Sequence, residues 1–164
     1  MDMTVEQLSE RFSAVRALAR RLMDENGLTS WAFRFNKNLV RSGVCRRKLG
    51  RGSIELSAYY VQLNPLTVIV DTIKHEVAHA IVGPEHGHSE AWRAKCRELG
   101  CKPEVTYGMD VKMPAGKYQA VCPSCNTRFH RHRKPRVDGC YHHEDCGPRK
   151  GRLVWERVEP SFSK

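Results

Sequence analysis

Residues 64–84 read NPLTVIVDTIKHEVAHAIVGP, and whether this run is helix or strand decides the fold. Val68, Ile69 and Val70 alone would suit a strand, since β-branched side chains pack well on a pleated surface. The two ends of the run argue for a helix. Asn64 is a capping residue, and Pro65 suits a first helical position, where its missing N–H costs nothing. Gly83-Pro84 offers a left-handed cap followed by a breaker, so a helix is expected to about Val82. Inside it, His75 and His79 stand one turn apart on one face, within reach of a single ion.

On the N-terminal side, Val5, Leu8, Phe12, Val15, Ala19 and Leu22 recur at helical spacing, which predicts an amphipathic helix over 4–24 with Thr4 as its cap. Arg11, Arg16, Arg20 and Arg21 read as its solvated face. Alternation at Trp31, Phe33 and Phe35 predicts a strand, and turns at 36–38 and 50–52 separate it from strands over 39–47 and 53–57. Beyond the quoted run, a loop at 85–88 leads to a helix from Ser89 to about Leu99, ended by Gly100. The fold class expected is α+β, with an N-terminal helix, a small antiparallel sheet, the His-bearing helix and a following helix. A connector over about 102–117 would join a metal-held module, giving units at 1–116 and 117–158.

The spacing His75-Glu76-x-x-His79 is the arrangement of zinc proteases, in which two His bind zinc and the Glu is general base toward a water the ion activates. A catalytic zinc needs a third protein ligand. Glu85, His86, His88 and Glu90 are candidates, and spacing barely separates His88 from His86. For an oxyanion stabiliser, Tyr59, Tyr60, Arg93 and Tyr107 are unranked possibilities.

Seven cysteines are many for 164 residues. The chain opens without a basic n-region or an apolar h-region, so no secretory signal is expected. Metal ligation then explains the cluster in the last third better than disulfides. Cys122-x-x-Cys125 followed by His143-x-x-Cys146 leaves seventeen residues between the pairs, inside the usual zinc-ribbon interval. These four are the expected structural ligands, with Cys140 as the alternative to His143. Cys45, Cys96 and Cys101 read as buried or incidental thiols. Two zinc ions per chain are therefore expected, one catalytic and one structural.

The formal net charge is +10, which points to a polyanionic partner. Arg34, Lys37, Arg41, Arg46, Arg47, Lys48 and Arg51 have no acid among them. Eight cations around the cysteine pairs, Arg128, Arg131, Arg133, Lys134 and Arg136 included, face three acids. Between these regions, Lys74 stands against Glu55, Asp71, Glu76, Glu85 and Glu90, so the positive charge flanks the His-bearing helix. Arg46, Arg47, Lys48, Arg51, Arg128, Arg131, Arg133, Lys134 and Arg136 are the expected nucleic-acid contacts, with Phe129 and Tyr141 interleaved for stacking. No apolar run approaches the roughly 20 residues of a membrane span, so a soluble, cytoplasmic protein is expected.

His75–His79 followed by Gly87-His88-Ser89-Glu90-Ala91-Trp92 resembles the SprT-like metalloprotease family, to which Spartan-type DNA-dependent proteases belong. Phe35-Asn36, Gly43 and Ile54-Glu-Leu-Ser57 before the zinc helix are similar too, and the resemblance extends over about residues 8–158. It departs at Ser89-Glu90, where Gly-Pro is common. The resemblance implies a zincin-like domain with a C-terminal zinc ribbon, in a minimal bacterial or phage-type member, cytoplasmic and nucleoid-associated or in the phage-infected cell. It implies His88 as third zinc ligand, with Trp92 as the aromatic of the motif. It also implies peptide hydrolysis with Glu76 as base, on proteins bound or crosslinked to DNA, with single-stranded DNA as partner. A non-catalytic, zinc-containing DNA-binding adaptor is the alternative.

Overall fold

The computed structural model describes residues 3–105, 111–136 and 141–158. The chain divides into two compact units, Met1–Met113 and Pro114–Lys164.

In the first unit, helix α1 (Val5–Glu25) begins at Thr4 with a capping box: Thr4 Oγ1 accepts from the Gln7 N–H, and Gln7 Oε1 accepts from the Thr4 N–H. The helix buries Val15, Ala19 and Met23, whereas Val5 stays exposed. Its arginines are a solvated face only in part: Arg16 and Arg21 are exposed, whereas Arg11 and Arg20 are half-buried. Arg20 donates to the carbonyls of Trp31 and Leu28, both at 2.7 Å, and Arg11 donates to those of Val61 and Asn64. Arg16 lies over the Phe35 ring. Three of the four thus fasten α1 to its neighbours by satisfying backbone carbonyls and covering an aromatic face.

Strands β1 (Ala32–Asn36), β2 (Gly43–Lys48) and β3 (Arg51–Ser57) form a sheet in the order β1-β3-β2. The sheet is mixed, which corrects the antiparallel expectation: β2 and β3 are an antiparallel hairpin, but β1 runs parallel to β3. The reason lies in residues 37–42, which cross the end of β3 and do not close a hairpin on β1. Asn38 Oδ1 accepts from the N–H groups of Val40 and Arg41, and its carbonyl accepts from Ser57 Oγ at 2.6 Å. The Ser57 N–H then donates to the Ser42 carbonyl. With the crossing segment fastened to the end of β3, the central place in the sheet falls to β3.

A short helix not anticipated from sequence, α2 (Ala58–Leu63), follows β3 with Ser57 as its cap. Helix α3 (Leu66–Val82) then begins one residue later than expected, with Pro65 at the cap position. Asn64 is committed elsewhere. Its amide donates to the carbonyls of Tyr60 and Lys112 and accepts from the Lys112 N–H, so its side chain serves the end of α2 and the Lys112 backbone while Pro65 takes the α3 cap position. Gly83 ends the helix at φ 108° and ψ 124°, outside the left-handed well expected there, with its N–H on the His79 carbonyl. Helix α4 (Glu90–Leu99) has Ser89, expected as its first residue, at the cap position and ends at Gly100 in the left-handed conformation.

Helix α3 is apolar nearly all round because it is covered on several sides. Ile69, Ile73, Val77 and Ala80 join the core made with α1 and the sheet, while Ala78 packs with Trp92 and Cys96 of α4. No helix among the described residues is long and apolar enough to cross a membrane.

The second unit contains β4 (Tyr118–Val121), β5 (Arg128–Arg131) and β6 (Glu156–Arg157), antiparallel in the order β5-β4-β6, with a single-turn helix α5 (Gly147–Lys150). Its buried core is Ala120, Cys122 and Leu153, with Phe129, Tyr141 and Trp155 packed around them. So small a core needs a staple.

Candidate metal centres

Helix α3 turns His75, Glu76 and His79 inward, leaving each less than a tenth exposed. After α3 the chain makes one 3-10 turn (Pro84–His86) and reverses at Gly87, whose φ of 52° suits a residue without Cβ. The reversal brings His88 back over α3. Its Nε2 lies 3.3 Å from His75 Nε2, and the ligand atoms of His75, His79 and His88 all lie within 4.8 Å of one another. The other candidates for the third position point elsewhere: His86 lies 3.9 Å from Glu85, and Glu90 pairs with Arg97.

Trp92 holds the cluster. It is fully buried, stacks on His79 with ring centroids 5.1 Å apart, and meets His75 and His88 edge-on. Its Nε1–H points to the His75 carbonyl at 3.4 Å. The Ser89 hydroxyl accepts from the Trp92 N–H, so the α4 cap also sets the tryptophan that buttresses the histidines.

The donor set suits zinc. Burial, and then the neighbouring imidazoles, push His75 down to about 3, while burial and then His88 push His79 down to about 4. His88 is lowered too, first by burial and then by Arg93. All three rings are neutral at neutral pH, with lone pairs free for a cation. Two nitrogens on one tetrahedral zinc, each at about 2.0–2.1 Å, would stand about 3.3–3.4 Å apart. His75 and His88 already have that separation.

Glu76 faces β2 next to the triad. Burial raises its carboxyl to about 8, and the Cys45 backbone N–H, which donates to it, acts in the opposite direction. A Cβ at Gly43 would lie 2.6 Å from Glu76 Oε1, so the carboxylate occupies space that only glycine leaves. A cleft of about 460 Å³ runs past these groups, with Gly43, Val44 and Cys45 on one wall and the histidines on the other. Among the described residues β2 pairs only with β3, so its outer edge opens on this cleft.

Cys45 lines the cleft but is no thiolate: burial, then the charge of Glu76, pushes its thiol up to about 12. Burial raises Cys96 and Cys101 as well, and Cys101 Sγ donates to the Cys96 carbonyl. Of the unranked oxyanion candidates, Tyr60 is bonded to Thr72 and Val68 in the core, and Arg93 donates to the Pro103 carbonyl. Tyr59 is half-buried on α2, and Tyr107 lies outside the described residues.

The second cluster is Cys122, Cys125, His143 and Cys146, whose ligand atoms also lie within 4.8 Å of one another. Cys140 lies outside the described residues. The first pair sits on a knuckle closed by Cys122 N–H on the Thr127 carbonyl and Asn126 N–H on the Cys122 carbonyl, both at 2.9 Å. Asn126 takes the left-handed φ of 60° that this turn demands. Hydrogen bonds from Thr127, side chain first and then backbone, lower Cys125 to about 6, so its sulfur is readily ionised for ligation. His143 turns Nδ1 to Cys125 Sγ at 3.2 Å and Nε2 to Asp145 at 3.2 Å. That carboxylate, which the sequence did not flag, fixes which nitrogen is free to ligate.

The nine cations expected on nucleic acid are exposed. Arg46, Arg47, Lys48 and Arg51 lie on the β2–β3 hairpin, and the other five lie on β5 and the segment after it. Phe129 is not free to stack, because it packs on the His143 ring. Trp155, absent from the sequence reading, joins Tyr141 instead, and the Arg131 guanidinium lies over both rings.

A search of curated proteins finds no match. A family model described as the SprT-like family matches residues 12–113, which is the first unit from the middle of α1 through the histidine triad and beyond. With more than half of its length so matched, the chain belongs to the SprT-like family.

Proposed function

We propose that the chain is a zinc-dependent metalloendopeptidase that acts on proteins bound or crosslinked to DNA. The observation that carries this reading is the convergence of His75, His79 and His88 beside a buried Glu76, in a cleft bordered by an open strand edge. Membership of a family associated with zinc metallopeptidases supports it.

His75, His79 and His88 would hold the zinc, which would supply Lewis acidity to a water and to the scissile carbonyl. A cation held beside it would favour the ionised Glu76 carboxylate against the effect of burial, and Glu76 would then accept the proton of that water as its oxygen attacks the carbonyl carbon. When the C–N bond breaks, Glu76 passes the proton to the leaving amine nitrogen. Gly43 gives the carboxylate room, and the Cys45 N–H fixes its direction. The edge of β2 suits an extended peptide added as a further strand, a mode that reads backbone and tolerates many sequences. Cys122, Cys125, His143 and Cys146 would hold a second zinc that staples the small unit.

DNA as partner is supported by the acid-free hairpin and by the second unit. There Tyr118, Tyr141 and Trp155 line a cleft of about 410 Å³ together with Lys134, Arg136 and Arg152. Aromatic faces among cations suit the stacked bases and phosphates of a single strand. The test is cleavage of a basic, DNA-binding protein with single-stranded DNA, with duplex DNA and with none. Cleavage that requires DNA is the expected result. Cleavage independent of DNA would keep the peptidase and remove the cofactor role, whereas DNA binding with no cleavage under any condition would establish the adaptor.

A further inference from the structure

The turn joining β2 to β3 breaks a rule of turn chemistry. Lys48 and Arg51 are register partners, so the loop between them is only Leu49-Gly50. Both residues have positive φ, 49° and 75°. A two-residue turn of this kind favours Asn or Asp before Gly, because other side chains are strained in the left-handed region. Leucine gains nothing there from the protein itself. It is 93% exposed, the most exposed of the large hydrophobic side chains among the described residues.

The tip is also braced. Gly52 leaves room for the Trp31 ring to lie directly against the hairpin backbone, and Arg47 lies over the same ring at 5.3 Å. The Trp31 carbonyl is held by Arg20 of α1. Leu49 therefore stands on a fixed finger, with Arg46, Arg47 and Lys48 before it, Arg51 after it, and no acid between Lys37 and Ile54. Beside the finger a depression of about 770 Å³ is lined by Arg34, Lys48 and Arg51.

We propose that the β2–β3 hairpin is a DNA-inserting finger: Leu49 enters the minor groove of duplex DNA and wedges into a base step, while Lys48 and Arg51 hold phosphates on either side. The inference rests on DNA being the partner and adds to it a duplex-deforming contact. Apolar wedges flanked by cations unstack a base step and bend the helix, and the bend brings more backbone against the protein. Phosphates at both lips of the groove suit cations placed immediately before and after the wedge. A lipid surface suits this finger less well, because one leucine offers little apolar area and would draw its charged neighbours toward the acyl boundary.

Leu49→Asn tests this, because Asn suits the left-handed turn and leaves every charge in place. With a short duplex carrying 2-aminopurine, the wild-type chain should raise the fluorescence as the step unstacks. The variant should lose that rise and bind about tenfold more weakly or worse, the loss expected of one buried leucine. Its salt dependence should be unchanged and its melting temperature equal or higher. By contrast, Lys48→Gln with Arg51→Gln should lower the salt slope by about two. If Leu49→Asn binds and unstacks the duplex like wild type, the wedge is refuted and DNA remains the partner. If neither chain binds DNA, the DNA reading itself fails. If the wild type leaves 2-aminopurine unchanged but binds phosphatidylserine vesicles through Leu49, the finger is a lipid anchor and the proposal is overturned.

Discussion

Gly43 is placed to control Glu76, and Gly43→Ala should disable the chemistry without dismantling the site. The new Cβ would fall 2.6 Å from Glu76 Oε1, 2.9 Å from its Cγ and 3.0 Å from its Cδ, where ordinary contact begins at 3.4 Å. The oxygen must therefore retreat by about 0.8 Å. A misplacement near 1 Å in a reacting group costs up to about 100-fold, so kcat/KM should fall roughly 10- to 100-fold. The backbone can accept alanine, because Gly43 lies in a strand without positive φ, and alanine recovers some chain entropy. Melting temperature should shift by only a few degrees, and zinc content should not change, because the histidines lie on other elements. Peptidase kinetics, thermal melting and metal analysis on the same preparation measure all three. The double variant Gly43→Ala with Glu76→Gln should be no slower than Glu76→Gln alone, since both act through one carboxylate. Activity within about twofold of wild type would refute this placement of Glu76, as would a loss that tracks loss of zinc.

Trp92→Ala removes a fully buried ring that touches all three histidines, and should cost about 3–5 kcal/mol by denaturant unfolding. The same variant should also weaken zinc retention at the triad; retention at wild-type affinity would show the ring to be packing alone. Asp145→Ala leaves His143 without its Nε2 partner and should weaken zinc binding at the cysteine cluster by about 10- to 100-fold in chelator competition, with the triad unaffected. Stripping zinc should unfold the second unit, whose buried core among the described residues is Ala120, Cys122 and Leu153, while α1, α3 and α4 keep their helical circular dichroism.

Local chemistry was readable at the start of α1 and at both ends of α4. Thr4 and Gly100 cap the helices that the sequence assigns to them, Ser89 stands one place outside the helix it was expected to begin, and each cap is completed within a few residues. Asn64 misled for the opposite reason: its partner, Lys112, is 48 residues away, so a good capping residue was already occupied. The parallel β1–β3 pairing was equally hidden, because it depends on Asn38 and Ser57 meeting across the sheet end. The six residues of α2 are too few to show a period. In the site, the helical spacing of His75 and His79 was plain, but nothing local separated His88 from His86; the reversal at Gly87 does that in space. Arg11 and Arg20 looked like solvent-facing charge because the backbone carbonyls they satisfy, at Val61 of α2 and at Leu28, Trp31 and Asn64 outside the helices, carry no sequence mark.

Glu76→Gln removes the proposed base and keeps the shape of the side chain. Purified wild-type and variant chains, each assayed for metal, would be compared for cleavage of a basic protein on single-stranded DNA. Both chains should hold two zinc ions, and wild type alone should cleave. Equal cleavage by the variant at equal zinc content would contradict this role for Glu76.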